Sequence, residues 1–274
     1  MAFLVTGTSS GIGRATAVRL AERGYDVFAG VRHLADAPVH AGIRPVELDV
    51  TDPAQLAAVA KEIGPLRGLV NNAGITVAGP LEHLPLERLR QQLEINVMGV
   101  VAVSQAFLPA IRAGRGRLVM ISSGSGLVPA PFWGAYSASK AAVDALSDSL
   151  RQELRPWGLP VVVITPGNVA SPIWAKLKVA ADLDRDQMGA TAERRYGPAM
   201  DAAARFADRV AAAAVPAERT AAVIERALTD RSPRARYFAD SGARTSAALK
   251  TILPTSALDA VLARFMGLPE RVAD

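Results

Sequence analysis

Short apolar strands alternate with segments of helical length from the beginning of this chain. The strand candidates are nearly continuous runs of Val, Leu and Ile, as expected of parallel strands that are buried on both faces. We predict strands at Ala2–Thr6, Asp26–Val31, Arg44–Leu48, Leu66–Asn71, Arg117–Ser122 and Val161–Thr165. We predict helices between them at Ile12–Arg23, Pro53–Ile63, Leu86–Arg112 and Tyr136–Arg155. This alternation predicts an α/β fold with a doubly wound parallel sheet and helices on both faces.

The alternation stops after Thr165. Residues 171–215 are rich in Ala, Arg and Asp, and we interpret them as one or two amphipathic helices inserted beside the substrate site. A helix at about Pro216–Thr229 and a short strand near 236–238 follow. Leucines at helical spacing predict a C-terminal helical tail at 246–268, interrupted by Pro254. Without a clear linker, residues 1–274 are interpreted as a single domain.

Composition excludes several classes of function. The 274 residues contain no cysteine, which rules out disulfides, thiolate zinc sites and a cysteine nucleophile. The three histidines fall in separate segments, so no metal site is expected. The net charge of +5 comes from scattered residues, which does not favour a nucleic-acid partner. No apolar run has membrane-spanning length, and the N-terminus resembles no signal peptide, so we expect a cytoplasmic protein without a membrane span.

A glycine-rich turn directly follows the first predicted strand. Its sequence, TGTSSGIG, opens an Ala-rich helix. Glycines allow a positive φ and let backbone amides approach a pyrophosphate, although a strand-to-helix turn needs glycine in any case. The position between the first strand and the first helix favours dinucleotide binding in a Rossmann-type fold. The predicted contacts are Gly7, Ser9, Ser10, Gly11, Ile12 and Gly13.

The end of the second strand bears on the choice of nicotinamide cofactor. An acidic residue at this position would bind the ribose 2′-hydroxyl of NAD. Here the strand ends Ala29-Gly30-Val31-Arg32, without a carboxylate, and Arg32 could pair with a 2′-phosphate. We therefore expect NADP(H) in preference to NAD(H), although Arg32 could also be an ordinary surface arginine. Asp49 suits the adenine amino group or a helix-capping role, and Val50 beside it is a further predicted contact.

Polar residues that suit acid–base chemistry follow the later strands. Tyr136 and Lys140 are four residues apart in the segment YSASK, which places them on one helix face. Ser122 and Ser123 stand at the end of the fifth strand, and Asn71-Asn72-Ala73-Gly74 ends the fourth. All of these lie at the carboxyl edge, where open α/β sheets bind ligands.

Taken together, TGTSSGIG, NNAG, Asn96, Ser123, YSASK and Pro166-Gly167 resemble the classical short-chain dehydrogenase/reductase family, in its order and approximate spacing over residues 1 to about 172. The resemblance implies a catalytic tetrad of Asn96, Ser123, Tyr136 and Lys140. It also implies that the backbone of Asn72, Ala73 and Gly74 lies beside the adenosine half of the cofactor. On the nicotinamide side it implies contacts from Tyr136, Lys140, Pro166, Gly167, Val169 and Ser171.

The implied chemistry is hydride transfer, with Tyr136 exchanging a proton with the substrate oxygen. A pKa near 7 would require lowering the tyrosine pKa by about three units, or about 4 kcal/mol. An ammonium about 5 Å away gives roughly 3 kcal/mol at an effective dielectric near 20, so we expect Lys140 to supply most of the shift. Ser123 is expected to stabilise the developing oxyanion, and Asn96 to anchor a water that relays protons.

The substrate is less well specified. Phe132, Trp133, Ile173 and Trp174 suggest an apolar pocket for a hydrophobic alcohol or ketone, although all four could instead be core or subunit contacts. The segment Gly79-Pro80-Leu81-Glu82, Arg32 and the extended tail are similar to the steroid and retinol dehydrogenase branch. By analogy with that family we expect a homodimer or homotetramer. The rival hypotheses are a non-catalytic NADP(H) sensor or scaffold, and a lyase or epimerase that acts on sugar nucleotides.

Overall fold

The computed structural model describes residues 2–172, 175, 185 and 188–269. These residues form a seven-stranded, fully parallel sheet in the order β3-β2-β1-β4-β5-β6-β7. The strands are β1 Ala2–Thr6, β2 Val27–Val31, β3 Ile43–Glu47, β4 Leu66–Asn71, β5 Arg117–Ile121, β6 Val161–Thr165 and β7 Arg236–Phe238. The predicted doubly wound sheet is confirmed, and each predicted strand lies within one residue of the observed bounds.

Helices cover both faces of the sheet. They are α1 Gly11–Glu22, α2 Pro53–Glu62, α3 Leu86–Leu93, α4 Gly99–Ala113, α5 Gly124–Leu127, α6 Gly134–Leu154, α7 Gly189–Ala212, α8 Ala217–Thr229, α9 Ser241–Ile252 and α10 Thr255–Met266. Helices α1 and α8 pack against each other on one face, and α2, α4 and α6 lie on the other.

Successive side chains of β1 point alternately to the two faces of the sheet, so the strand contributes to both hydrophobic clusters. Phe3 and Val5 are fully buried in the cluster that includes residues of α1 and α8, whereas Leu4 is fully buried in the opposite cluster. A strand buried on both faces must be apolar at every position, because neither face reaches water. This explains the continuous apolar runs from which the strands were predicted.

The predicted helix Leu86–Arg112 is interrupted by a π-helical turn. Residues Glu94–Met98 separate α3 from α4, and Asn96 lies inside this turn. The whole run Leu86–Ala113 is long and apolar enough to cross a membrane by length and composition alone. In the structure α4 packs against β4 and α2, and Val103, Phe107 and Ile111 are fully buried. Packing of this kind is typical of a core helix.

The inserted segment and the tail differ from the predicted bounds. Helix α7 lies within the predicted insert, and Val215, the last residue of that insert, forms a parallel bridge with Val169. The tail begins five residues earlier than predicted, because the Asp240 carboxylate accepts a hydrogen bond from Ala243 N and so caps α9. As predicted, Pro254 separates two tail helices.

Helix α6 carries an apolar stripe at spacings of three and four, formed by Val143, Leu146, Leu150 and Leu154, and most of it packs within the chain. Val143 and Leu154 are buried, and Leu150 packs against the same core cluster. Leu146 is 39% exposed, so this is the position of the stripe that remains accessible to a partner. Self-association into a homodimer or homotetramer stays a prediction.

Candidate active site

The candidate site lies at the carboxyl edge of the sheet, where the central strands end. The chain leaves β1 at Thr6, β4 at Asn71, β5 at Ile121 and β6 at Thr165. The connection from β1 leads to β2 on one side, whereas β4 pairs with β1 on the other. This reversal of strand order opens a crevice between the loops after β1 and β4, and ligands of open α/β sheets bind in such a crevice.

The glycine turn after β1 leaves no space for side chains at two positions. Gly7 has a φ of +67°, and a Cβ there would lie 2.8 Å from Cα of Ala73. A Cβ on Gly13 would lie 2.3 Å from the carbonyl oxygen of Gly7 and 2.4 Å from Nδ2 of Asn72. These neighbours belong to the turn and to the loop after β4, so the close packing of the two segments requires glycine.

Hydrogen bonds connect this turn to the loop after β4. The Thr6 hydroxyl accepts hydrogen bonds from the backbone N–H groups of Asn72 and Ala73, both at 3.0 Å. The Asn72 amide donates to the carbonyls of Thr6, at 2.8 Å, and Gly7, at 3.1 Å. We predicted that Asn72 and Ala73 would line the cofactor, but we did not predict the bracing role of Thr6, because a threonine at a strand end carries no distinctive signal.

The N-terminus of α1 suits the pyrophosphate of a dinucleotide. Its N-cap residue Ser10 makes no side-chain hydrogen bond to the first turn within the described chain, and no acidic residue lies there. The first helical hydrogen bond runs from Arg14 N to the Ser10 carbonyl. The preceding backbone N–H groups, with Gly11 and Ile12 among them, point along the positive end of the helix dipole and can bind an anion. Ser9 at the turn is exposed.

Arg32 and Asp49 lie together beyond the ends of β2 and β3. Arg32 is exposed, and its positive charge acts on Asp49. Burial opposes ionisation of Asp49, but hydrogen bonds from the Thr51 hydroxyl and backbone N–H, together with Arg32, hold the pKa of the carboxyl below its usual value. Asp49 therefore has a local structural role as well as its predicted adenine contact. Val50 is buried and packs tightly against Gly99.

Ser123 and Tyr136 form the central pair of the candidate site. Ser123 is the N-cap of α5, where its hydroxyl accepts a hydrogen bond from Ser125 N at 3.2 Å. Ser123 also hydrogen-bonds with the Tyr136 side chain. The neighbouring Ser122 hydroxyl is buried and has no partner among the described residues. Of the two serines, Ser123 is therefore the one that contacts Tyr136 among the described residues.

Lys140 lies one turn after Tyr136 on α6. Its ammonium donates a hydrogen bond of 2.8 Å to the Ile121 carbonyl and lies 5.8 Å from the centre of the Tyr136 ring. Burial lowers the pKa of Lys140 to about 8, although the charge of Asp144 raises it. The lysine is therefore mostly protonated at neutral pH and close to its titration range.

The pKa of Tyr136 differs in direction from our prediction. We expected Lys140 to lower it, but burial raises the pKa of this phenol and the hydrogen bond with Ser123 only partly opposes the rise. Burial has this effect because a low-dielectric environment disfavours the phenolate. In the free protein Tyr136 is consequently a neutral phenol, the form that donates a proton.

Asn96 braces the loop after β4 from within the π-helical turn. Its Oδ1 accepts a hydrogen bond from Ile75 N at 2.8 Å, and its Nδ2 donates to the Ile75 carbonyl at 3.0 Å and to Ser139 Oγ at 3.1 Å. These protein contacts occupy the buried side-chain amide, and the role of Asn96 as a water anchor stays a prediction. A Cβ on Gly74 would lie 3.1 Å from Asn96 Oδ1, so the two residues are closely packed.

Two supporting residues were missed by the sequence reasoning. Gln92 binds the same loop through Val77 N, at 2.7 Å, and the Ile75 carbonyl, at 2.9 Å. Ser139 donates to the Tyr136 carbonyl at 2.7 Å, which connects Asn96 to the tyrosine turn. Gln92 precedes Asn96 by one helical turn, and this pairing of amides on a buried helix face was the available signal.

The loop after β6 is tied to the C-terminal tail. Gly167 N donates a hydrogen bond of 2.7 Å to the Asp240 carboxylate, which also caps α9. Pro166 is buried, and Val169 is held by its bridge to Val215. Ser171 lies against the glycine turn, with its Oγ 2.8 Å from where a Cβ of Gly11 would be. Of the predicted nicotinamide-side residues in this loop, Ser171 is thus the one with a contact to the glycine turn among the described residues.

An aromatic cluster lies at the beginning of α6, the helix that carries Tyr136. Trp133, the N-cap residue of α6, packs edge-to-face with Phe206 of α7, and Phe206 packs in the same way with Phe265 of α10. Phe132 packs against this cluster with a φ of +69°, a strained conformation for a non-glycine residue. Ile173 and Trp174, which we also predicted to line the pocket, lie outside the described residues.

The described residues contain no group of three His, Asp or Glu side chains that could hold a metal ion. The polar groups at the centre of the candidate site are the hydroxyls of Ser123 and Tyr136 and the ammonium of Lys140.

Comparison with known families identifies residues 1–182 as matching the model described as short chain dehydrogenase. A curated NADPH-dependent 3-dehydrocapnine reductase from Ornithobacterium rhinotracheale is 33% identical, covering 94% of each chain. Retinol dehydrogenase 5 from Mus musculus is 32% identical over 97% of this chain and 88% of its own length.

Solved structures agree with this match. A short chain dehydrogenase from Burkholderia cenocepacia in complex with NADP has a TM-score of 0.75 and 25% identity, covering 95% of this chain and 96% of the other. A short chain dehydrogenase/reductase from Burkholderia phymatum in complex with NAD has a TM-score of 0.77 and 26% identity, covering 90% and 92%. Similar structures therefore occur with either nicotinamide cofactor.

Proposed function

The chain belongs to the short-chain dehydrogenase family and is an oxidoreductase, and we propose that it interconverts a hydrophobic alcohol and its carbonyl compound with NADP(H) in preference to NAD(H). Bound nicotinamide would supply the hydride chemistry, and the protein would supply binding, orientation and proton transfer. The glycine turn, the free N-terminus of α1 and the loop after β4 suit the binding of this cofactor.

The hydrogen-bonded pair Ser123–Tyr136 carries the proposal for the catalytic residues. In the direction of reduction, the Tyr136 hydroxyl donates its proton to the substrate oxygen, while the Ser123 hydroxyl donates a hydrogen bond to the same oxygen. Burial raises the pKa of Tyr136, so the free protein holds the protonated form that reduction needs. Lys140, one turn further along α6, places a positive charge beside the tyrosine.

The preference for NADP(H) is supported by charge at the end of β2. Arg32 is exposed there and the strand itself ends without a carboxylate, so the guanidinium can pair with a 2′-phosphate. The name of the Ornithobacterium relative specifies NADPH, which agrees with this assignment.

The substrate class is supported by the aromatic cluster of Trp133, Phe206 and Phe265. Trp133 lies three residues before Tyr136 in the chain, and the rings of Phe206 and Phe265 extend the cluster from α7 and α10. An apolar border favours a hydrophobic substrate, because burial of its surface contributes to binding. Retinol, after which one relative is named, belongs to this class.

The direct test is a spectrophotometric panel of hydrophobic ketones, aldehydes and alcohols with each nicotinamide. We expect Tyr136→Phe to lower kcat by about 10²- to 10⁴-fold, the usual contribution of a general acid, while the NADPH dissociation constant changes by no more than a few fold. Tyr25→Phe is the matched control, since Tyr25 packs on Phe3 at the opposite edge of the sheet.

Two outcomes would contradict the proposal. Full activity of Tyr136→Phe would reject the tyrosine as the acid. Tight NADPH binding by the unaltered protein without turnover across the panel would favour the rival hypothesis, a non-catalytic sensor.

A further inference from the structure

We propose that Asp144 is a positioning residue for the proposed reaction: its buried carboxylate keeps Lys140 charged, and Arg236 limits how strongly it does so. The inference rests on the proposed function, in which the Lys140 ammonium acts beside Tyr136. The predicted tetrad did not include either Asp144 or Arg236.

Asp144 and Lys140 share one face of α6. They are four residues apart, a spacing that brings side chains of a helix together. Lys140 is 7% exposed and Asp144 is 9% exposed, so water screens the pair only weakly. A buried ammonium whose identified protein hydrogen bond goes to the neutral Ile121 carbonyl needs a negative charge nearby to remain protonated.

The two oxygens of Asp144 have different surroundings. Oδ1 accepts a hydrogen bond of 3.0 Å from the Arg236 guanidinium. Oδ2 is buried and has no hydrogen-bond partner among the described residues. Buried carboxylate oxygens normally have donors, so an oxygen without one calls for an explanation. Its negative charge, left without a hydrogen-bond donor, stabilises the ammonium one turn earlier in the helix.

Arg236 fixes this carboxylate and partly neutralises it. The arginine belongs to β7, and its Nη1 also donates a hydrogen bond of 2.9 Å to Thr165 Oγ1. Thr165 is the last residue of β6 and directly precedes Pro166-Gly167. The arrangement therefore connects the helix that carries Lys140 with the loop proposed to line the nicotinamide.

The ionisable groups that face Lys140 are few in the described structure. On α6 they are Tyr136 and Asp144, and from β7 Arg236 reaches Asp144. The neighbouring elements β5 and α5 contribute the Ile121 carbonyl and the backbone around Gly126. Burial lowers the pKa of Lys140 to about 8, and the charge of Asp144 acts against that decrease. A lysine this close to neutrality is sensitive to any change in its one carboxylate neighbour.

The test uses two substitutions with opposite expected signs. Asp144→Asn removes the negative charge, so the pKa of Lys140 should fall by about one unit or more. Arg236→Gln removes the positive charge that offsets Asp144, so the same pKa should rise. The chain has only five lysines, which makes titration of isotope-labelled lysine ε-groups by NMR practical, with Lys140→Arg to assign the signal.

The pH dependence of kcat/KM provides the second readout. Activity that requires the ammonium is lost as pH rises through the Lys140 pKa, so the alkaline limb should move to lower pH in Asp144→Asn and to higher pH in Arg236→Gln. Asp144→Glu keeps the carboxylate and should restore the profile. Asp148→Asn is the matched control, because Asp148 is an exposed partner of Arg151 one turn further along α6.

A purely structural role would lower stability or kcat in both variants without opposite shifts. Unchanged Lys140 titration in folded Asp144→Asn, or shifts of equal sign in both variants, would overturn the proposal. If Asp144→Asn fails to fold, the Lys140 titrations of Arg236→Gln and Asp144→Glu still test the proposal. The NMR titration needs no turnover, so absence of redox activity would reject the proposed function while leaving the charge coupling measurable.

Discussion

The two sides of the candidate site are built by different kinds of contact. On the cofactor side, Thr6 and Asn72 hydrogen-bond directly to the backbone of the facing loops, and Gly13 packs where no Cβ fits. On the substrate side, Trp133, Phe206 and Phe265 meet through the edges and faces of their rings. The first arrangement depends on the identity of single residues, and the second on apolar volume.

This difference explains which properties a sequence reveals. Where two backbone segments approach this closely, only glycine fits, and a hydrogen bond between two loops needs a polar atom at one defined place. The cofactor side therefore has a recognisable sequence motif. Apolar clusters tolerate exchange among residues of similar volume, so the substrate side has no comparable motif. We consequently expect substitutions on the two sides to have different effects on stability and binding.

The largest effect is expected from Gly13→Ala. Its Cβ would lie 2.3 Å from the Gly7 carbonyl oxygen, which belongs to the backbone and cannot move without opening the turn. We expect the free energy of unfolding to fall by about 3 kcal/mol, at the upper end of overpacking costs, and NADPH binding to be lost. Chemical denaturation and fluorescence titration with NADPH measure the two effects.

Gly64→Ala is the matched control for this substitution. No atom of the described chain lies within 4 Å of a Cβ at Gly64, so stability and binding should remain close to those of the unaltered protein. If Gly13→Ala binds NADPH normally, the cofactor side is less constrained than the packing indicates.

An intermediate effect is expected from Arg32→Ala, which alters charge on the cofactor side without disturbing the turn. Arg32 is exposed, so its removal should leave stability unchanged. A lost charge-assisted contact with the 2′-phosphate should raise the NADPH dissociation constant by about tenfold or more, equivalent to about 1.5 kcal/mol or more. The NADH dissociation constant should change much less.

Arg44→Ala tests whether loss of any nearby positive charge has the same effect. Arg44 is an exposed residue of β3, the strand that pairs with β2. Isothermal titration of all three proteins with both cofactors gives the comparison. Equal weakening of NADPH and NADH by Arg32→Ala would reject the 2′-phosphate assignment.

The sheet was predictable because its signal is local. Apolar runs such as Val161–Thr165 allow few other structures, and all six predicted strands lie in the observed sheet. The grouping of Ser123, Tyr136 and Lys140 followed from the same reasoning, since strand ends meet at one edge and residues four apart share a helix face.

Features set by tertiary contacts were not predictable in the same way. The π-helical turn at Glu94–Met98 lies where Asn96 binds the Ile75 backbone, a contact between residues distant in sequence. Likewise, the tail begins at Ser241 because Asp240 caps α9 and binds Gly167, 73 residues earlier. The raised pKa of Tyr136 reflects burial, which the spacing of Tyr136 and Lys140 does not reveal.

The smallest effect is expected from Phe206→Ala, on the substrate side. Phe206 contacts both Trp133 and Phe265, so its loss opens the apolar border while the hydrogen bonds of the cofactor side stay intact. We expect KM for hydrophobic substrates to rise about fivefold, which corresponds to about 1 kcal/mol, with the NADPH dissociation constant unchanged. Trp157→Ala, which removes an exposed ring stacked on Arg112 beyond the other end of α6, should change neither constant. A Phe206→Ala protein that loses NADPH affinity along with substrate affinity would show that the two sides are coupled, contrary to the separation that their contacts indicate.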